Sequence, residues 1–188
     1  MGRCVLVSLL LLLALQKSAF GQEPPGEGDP VAEAVHTPLP MSHIRVEDRR
    51  LRNVLMRAAD TSSTLHSLIA RLEDSDVVAY VQYDLRPPAG RSGHLSFVSR
   101  VAGVRYVLIR VAFIGPAASQ AATIVHELRH AVEVAALTSI VDRATFEHEY
   151  ARIGFRTPSR GQESASYETL AARLDGEQIL RELCQSTD

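Results

Sequence analysis

His126, Glu127 and His130 are the residues of this chain whose types and spacing point most directly to chemistry. They form the pattern HExxH in the run His-Glu-Leu-Arg-His. On a helix, positions i and i+4 share one face, so both imidazoles can reach the same metal ion. Zinc held by two histidines and a third protein ligand keeps a position open for water, and a carboxylate beside that water can take its proton. The pattern therefore predicts metal-assisted hydrolysis with Glu127 as the base.

The residues around the motif predict the helix that it needs. Pro116 and Ser119 suit the first turn of a helix, and the segment that follows is rich in small and branched apolar residues. These are Ala121, Ala122, Ile124, Val125, Leu128, Ala131, Val132, Ala135 and Ala136. Two imidazoles and a carboxylate in so apolar a segment cost free energy unless something pairs with them. A bound metal satisfies them, and the alternative is a hydrogen-bonded pair of core histidines.

A catalytic zinc needs a third protein ligand, and several downstream side chains have the right chemistry. The candidates are Glu133, Glu147, His148, Glu149, Glu163 and Glu168. Glu168 is preferred, because small residues flank it on a helix predicted for 162–184 and let that helix approach closely. Glu163 is the alternative, although the helix dipole already explains an acid in a first turn. Glu133 suits either a hydrogen bond to a ligand imidazole or a solvated position on the helix.

The remaining chain predicts a small α+β domain that positions these residues. Besides the motif helix, helices are predicted at 46–59, 63–73, 142–150 (capped by Asp142) and 162–184 (with Gly176 as a possible interruption). Strands are predicted at 77–83, 95–101 and 104–113, the last two as an antiparallel hairpin around Ala102 and Gly103. A connecting loop is predicted at 152–160. The strand at 104–113 is predicted to be the sheet edge along which a peptide is laid.

The N-terminus predicts export. Arg3 precedes an apolar run at 5–15, and the small residues Ala19 and Gly21 suit cleavage by a signal peptidase. Residues 1–21 are therefore predicted to be a signal peptide. The apolar run is too short for a permanent membrane anchor. We expect a secreted or periplasmic protein with no stable membrane anchor after cleavage.

The rest of the chain is expected to comprise a leader and one domain. Residues 22–40, rich in Pro, Gly and acids, predict a flexible leader, and residues 41–188 have the length of one domain. Loss of Arg3 and Lys17 with the signal leaves 18 basic against 22 acidic residues, a net charge of −4, so no nucleic-acid partner is indicated. The remaining thiol, Cys184, cannot form an intramolecular disulfide and is predicted to be a core residue at a helix end. The sequence leaves the oligomeric state open.

Two stretches resemble the thermolysin-like gluzincins. Residues 126–132, His-Glu-Leu-Arg-His-Ala-Val, are similar to the active-site helix of that clan, and Glu168 followed by Thr-Leu-Ala-Ala is similar to its glutamate helix. In arrangement the likeness extends over about residues 77–183, and it is specific at the motif. It implies a minimal zincin-like domain with a small, mostly antiparallel sheet and a C-terminal ligand helix. It also implies that Zn²⁺ is held by His126, His130 and Glu168.

The resemblance further implies a zinc metallopeptidase that acts on a peptide or protein substrate. Glu127 would pass the proton of the attacking water to the leaving amine, and a downstream Tyr or His would stabilise the oxyanion. Tyr150, His148 and Tyr167 are all open for that role. Two alternatives remain: a secreted zinc-binding module without activity, and an amidase that acts on a cell-wall component. The intact Glu127 favours catalysis over a binding module, because a structural zinc site needs no base.

Overall fold

The structure, a computed structural model, describes residues 41–87, 90–157 and 166–185. This part of the chain is α+β, with five helices and a small sheet. None of its helices is both long and apolar enough to cross a membrane. The predicted signal peptide (1–21) and leader (22–40) lie outside the described residues.

The secondary structure follows the predicted order closely. The elements are β1 (Ile44–Val46), α1 (Arg49–Ala59), α2 (Ser63–Glu73), β2 (Val77–Asp84), β3 (Gly93–Val101), β4 (Val104–Ala112), α3 (Ala117–Ala136), α4 (Arg143–Ile153), β5 (Phe155–Thr157), β6 (Ser166–Glu168) and α5 (Leu170–Gln185). Asp142 caps α4 as predicted, through a reciprocal capping box with Thr145. The predicted helix at 46–59 begins later, at Arg49, because Asp48 caps it. The three residues of β1 are too few to show a sequence period.

The sheet has the strand order β1-β2-β4-β3. β1 and β4 both pair with β2 in parallel, and β3 pairs with β4 in antiparallel. The prediction of a mostly antiparallel sheet is therefore wrong. The physical reason is that α1 and α2 connect β1 to β2, and a helical crossover returns the chain in its original direction. β4 lies inside the sheet, so the prediction of an edge at 104–113 is also wrong. Among the strands that the structure describes, β3 is the edge next to β4.

One face of the sheet packs against the helices and forms the core. The inward side chains of the strands include Val77, Ala79, Val81, Val107 and Ile109, and α3 contributes Ile124, Val125, Leu128, Ala131 and Val132. Every second residue of a strand points to the same face, which explains the odd-numbered series on β2 and β4. α3 is thereby fixed against the sheet along its apolar stripe.

Arg105 closes the C-terminal end of α3. Its side chain is buried, and it donates to the carbonyl oxygens of Val134, Ala135 and Leu137 at 2.6, 3.1 and 2.8 Å. It also pairs with Asp76 at 2.5 Å. The last carbonyl groups of a helix have no partner within the helix, and Arg105 satisfies them. The helix that carries the motif is therefore held to β4 by a charged group as well as by apolar packing.

The prediction of one helix across 162–184 is wrong at its start. Ser166–Glu168 forms β6, which pairs in antiparallel with β5 inside the predicted 152–160 loop, and α5 begins only at Leu170. Hydrogen bonds between these strands hold the segment extended. These bonds join residues about ten positions apart in the chain, and a periodic pattern within one segment cannot indicate such a pairing. Glu168 therefore ends a strand and does not lie within a helix.

The buried face of α5 also differs from the predicted one. Three of the leucines predicted to pack, Leu170, Leu174 and Leu180, are exposed by 63%, 49% and 38%. The buried residues are Ala172 and Ile179, which share a helix face with Gly176. This face, and not that of the three leucines, turns toward the core. Cys184 lies off this face and is exposed, so the prediction that it is a core residue is wrong.

Candidate functional site

The two motif histidines lie one turn apart on α3 and face the same carboxylate. Their ring centroids are 5.1 Å apart. The Nε2 atom of His126 lies 3.0 Å from Glu168 Oε2, and the Nε2 atom of His130 lies 3.3 Å from Glu168 Oε1. The structure therefore brings together all three side chains that the sequence suggests as metal ligands.

This cluster has the donor set of a catalytic zinc site. One ligand atom from each of His126, His130 and Glu168 lies within 4.8 Å of the other two. Zinc ligands lie about 2.0–2.2 Å from the ion, so donors around one ion sit a few ångströms apart. Two imidazole nitrogens and one carboxylate oxygen leave a fourth position open, which is the arrangement of hydrolytic zinc sites. The three side chains could therefore hold a metal ion such as zinc.

Glu168 reaches this position from the end of β6. Its backbone lies close to Gly154, where an added Cβ would be only 2.7 Å from the Glu168 carbonyl oxygen. The small residue that brings the two segments together is therefore Gly154, next to β5, and the expected helical flank of Glu168 does not exist. Glu163, the alternative ligand, lies outside the described residues.

Small residues of α5 also let that helix approach α3. A Cβ added at Gly176 would lie 3.4 Å from the Cβ and 3.5 Å from the Nδ1 of His126. These distances are ordinary van der Waals contacts, so a Cβ at this position would lie directly against His126 without displacing it. Gly176 is thus a contact point beside the site, and α5 continues through it without the predicted interruption.

Glu127 is buried on α3 next to the edge strand. Its exposed fraction is 5%, and a Cβ added at Gly93, the first residue of β3, would lie 3.1 Å from its Oε1. Burial raises the pKa of the Glu127 carboxyl above its ordinary value, because the charged form loses its water. His130 and His126 oppose this effect. A carboxyl whose pKa is raised above its ordinary value is suited to take up and return a proton.

Hydrogen bonds couple the charges of His130 and Glu168. Burial alone would lower the pKa of His130, but its hydrogen bonds with Glu133 and Glu168 raise that pKa to about 10. Burial would raise the pKa of Glu168, and the imidazoles of His126 and His130 instead hold it well below its usual range. The metal-free cluster is therefore an imidazolium–carboxylate pair. A cation at the same place would replace the proton.

A cavity of about 860 Å³ opens beside the cluster. The first residues of β3 form one side, α4 and α5 line other parts, and His126, Glu127, His130 and Glu168 all border it. Its apolar lining includes Leu95, Phe97, Phe146 and Leu180.

Comparison with family models, curated proteins and solved structures finds no match to this chain.

The three residues considered for the oxyanion have different surroundings. His148 is exposed on α4. Tyr150 is buried, and its hydroxyl donates to the carbonyl oxygen of His130 at 2.9 Å. Burial and the nearby Glu133 raise the pKa of Tyr150 well above its ordinary value, so this hydroxyl keeps its proton. Tyr167 lines the cavity from β6.

Glu133 occupies the first of its two predicted roles. Its Oε2 accepts a hydrogen bond from His130 Nδ1 at 2.9 Å, and its side chain is only 14% exposed. Its other oxygen, Oε1, accepts from Thr169 Oγ1 at 2.7 Å. Thr169 was not among the residues predicted from the sequence. Its position directly after Glu168 is the only signal in the sequence that could have suggested it.

Proposed function

We propose that this protein is a zinc-dependent hydrolase that cleaves peptide bonds. The observation that carries the proposal is the meeting of His126, His130 and Glu168 at one point of a cavity that Glu127 also borders. Three side chains can hold the metal, and the buried carboxylate of Glu127 remains for proton transfer. The resemblance of the motif to that of the gluzincins agrees with this division of roles.

The chain's own residues supply the proton transfers. When bound, zinc would act as a Lewis acid toward water and the scissile carbonyl. Glu127 accepts the proton that the water loses as its oxygen bonds to the carbonyl carbon. It then delivers that proton to the amide nitrogen as the C–N bond breaks. Tyr167 is the preferred oxyanion donor, because the hydroxyl of Tyr150 is held by His130 and His148 is exposed.

The edge strand favours a peptide over a small amide. Residues 93–97 of β3 line the cavity, and within the described part of the chain β3 pairs with a strand on one side only. Unpaired backbone groups at a sheet edge can pair with an extended peptide. Such a peptide would pass Glu127 at Gly93 and could place side chains against Leu95 and Phe97. This role, expected for the strand at 104–113, therefore falls to β3.

If the protein is exported as predicted, it meets its substrate outside the cytoplasm. The signal peptide at 1–21 stays a prediction, and so does the absence of a nucleic-acid partner. A secreted or periplasmic hydrolase would meet peptides, proteins or the amide bonds of cell-wall components. The edge strand favours the first two.

Metal analysis and hydrolysis of the purified protein test the proposal. We expect about one zinc per chain and cleavage of members of a broad fluorogenic peptide library. A chelator should remove both, and added zinc should restore both. A protein that binds zinc and cleaves no peptide or amide would be the non-catalytic module instead. Cleavage of cell-wall amides alone would indicate the amidase.

Zinc binding should weaken as the pH falls. The pKa of His130 is about 10 in the metal-free protein, so at neutral pH this ring carries a proton that must leave before both motif histidines can bind zinc. Glu168 is already ionised and releases none. The release of this proton predicts that the Kd rises by at least about tenfold for each unit that the pH falls between 8 and 6. Competition with a chromophoric chelator across this range measures it, and a Kd that stays constant contradicts the protonated cluster.

A further inference from the structure

A chain of hydrogen bonds connects His130 on α3 with the segment that carries Glu168. His130 Nδ1 donates to Glu133 Oε2 at 2.9 Å, and Thr169 Oγ1 donates to Glu133 Oε1 at 2.7 Å. The backbone N–H of Thr169 donates to Glu168 Oε1 at 2.8 Å. One carboxylate therefore joins the ring of one candidate ligand to the neighbour of another. We call these two bonds of Glu133 the Glu133–Thr169 link.

The link determines which nitrogen of His130 is available. An ionised carboxylate only accepts hydrogen bonds, so Nδ1 must carry the hydrogen in its contact with Glu133. In the neutral ring, Nε2 then has the free lone pair, and Nε2 is the atom that faces Glu168. Carboxylates that bind the far nitrogen of a ligand histidine fix both the tautomer and the ring orientation.

The link also fixes where β6 passes into α5. Thr169 is buried, and its Oγ1 accepts from the backbone N–H of Ala172 in the first turn of α5. The same oxygen thus binds α5 and, through Glu133, binds α3. The Tyr150 hydroxyl, whose single hydrogen is shared with the closer carbonyl oxygen of His130, lies 3.3 Å from Glu133 Oε2, and Arg129 Nε lies 3.8 Å from Glu133 Oε1. With these partners on both oxygens, the carboxylate is held in one orientation.

We infer that Glu133 and Thr169 are positioning residues of the metal centre, which set the tautomer of His130 and the place of Glu168. The inference rests on the proposed function, because positioning has a purpose only if the three ligands bind a metal. Neither residue touches the ion or the substrate. Their removal should therefore weaken zinc binding without removing any ligand.

Zinc affinities of four variants test the inference. Glu133→Gln should raise the zinc Kd about 10–100-fold, the usual cost of losing a partner of a ligand histidine. Thr169→Val, which keeps the shape and loses the hydroxyl, should raise it about tenfold. Thr169→Ser returns the hydroxyl and should bring the Kd to within about threefold of the wild type. The control is Glu47→Gln, an exposed acid between β1 and α1 that does not border the cavity, and its loss should leave the Kd unchanged.

The serine rescue separates positioning from general destabilisation. A folded Glu133→Gln or Thr169→Val protein with wild-type zinc affinity would overturn the inference, and so would a Thr169→Ser protein as weak as Thr169→Val. Long-range ¹H–¹⁵N spectra of the zinc-loaded wild type should show the His130 hydrogen on Nδ1, and a hydrogen on Nε2 would also overturn it. If the wild type itself binds no zinc, the proposed function falls and takes the inference with it.

Discussion

Glu127→Gln should leave zinc bound and lower the rate of peptide hydrolysis by about 10²–10⁴-fold, the usual contribution of a general base. Glutamine keeps the volume of the side chain but cannot accept a proton from water. The three candidate ligand atoms belong to other residues, so the metal should stay in place. Parallel measurement of zinc content and of kcat/KM on one cleaved peptide checks both halves of this expectation.

Glu47→Gln is a suitable control for that variant. Glu47 is an exposed acid between β1 and α1, so its loss changes the net charge by the same amount away from the cavity. Its activity should equal that of the wild type. Full activity in Glu127→Gln with zinc bound would remove Glu127 from the mechanism. Loss of zinc in the same variant would mean that Glu127 is a ligand.

The part of the site that could be predicted is the part encoded within one helix. His126, Glu127 and His130 are separated by less than two turns, so a correct helix prediction fixes their relative positions. The apolar stripe that predicts α3 is likewise a local pattern. The hairpin of β3 and β4 could also be predicted from a local pattern, the two-residue turn at Ala102 and Gly103. Their φ angles of 49° and 88° suit a type I′ turn.

The rest of the site depends on contacts between segments that are far apart in sequence. Glu168 was predicted correctly as a neighbour of the histidines, but for the wrong reason, since it ends β6 and lies in no helix. The pairing of β6 with β5 places it, and no periodicity within either three-residue strand could indicate that pairing. The bond between Thr169 and Glu133 is of the same kind.

The sheet shows the same limit. The sequence predicts three of its strands, but strand order depends on how helices cross between them. A strand at 104–113 next to the motif helix could equally lie inside the sheet or at its edge. The crossover through α1 and α2 makes β1 and β2 parallel, and it could not be predicted without first predicting β1. The position of the free edge, and with it the side of the cavity suited to a peptide, therefore came only from the structure.

Alanine variants of the three candidate ligands should weaken zinc binding more than variants of the Glu133–Thr169 link. His126→Ala, His130→Ala and Glu168→Ala each remove a donor atom, so the zinc Kd should rise by more than about 100-fold, above the usual cost of losing an outer partner. His126→Ala is the cleanest of the three, because its loss leaves Glu133 and Tyr150 paired with each other and with His130.

Glu163→Ala is the matched control, since Glu163 was the alternative third ligand. It should bind zinc as the wild type does, because the structure already places Glu168 at 3.0 and 3.3 Å from the two imidazoles. Zinc content and Kd of all four proteins decide the assignment. Full occupancy in both histidine variants would exclude the site altogether. Loss of zinc in Glu163→Ala with normal binding in Glu168→Ala would make Glu163 the third ligand. The roles assigned to His126, His130 and Glu127 would not change.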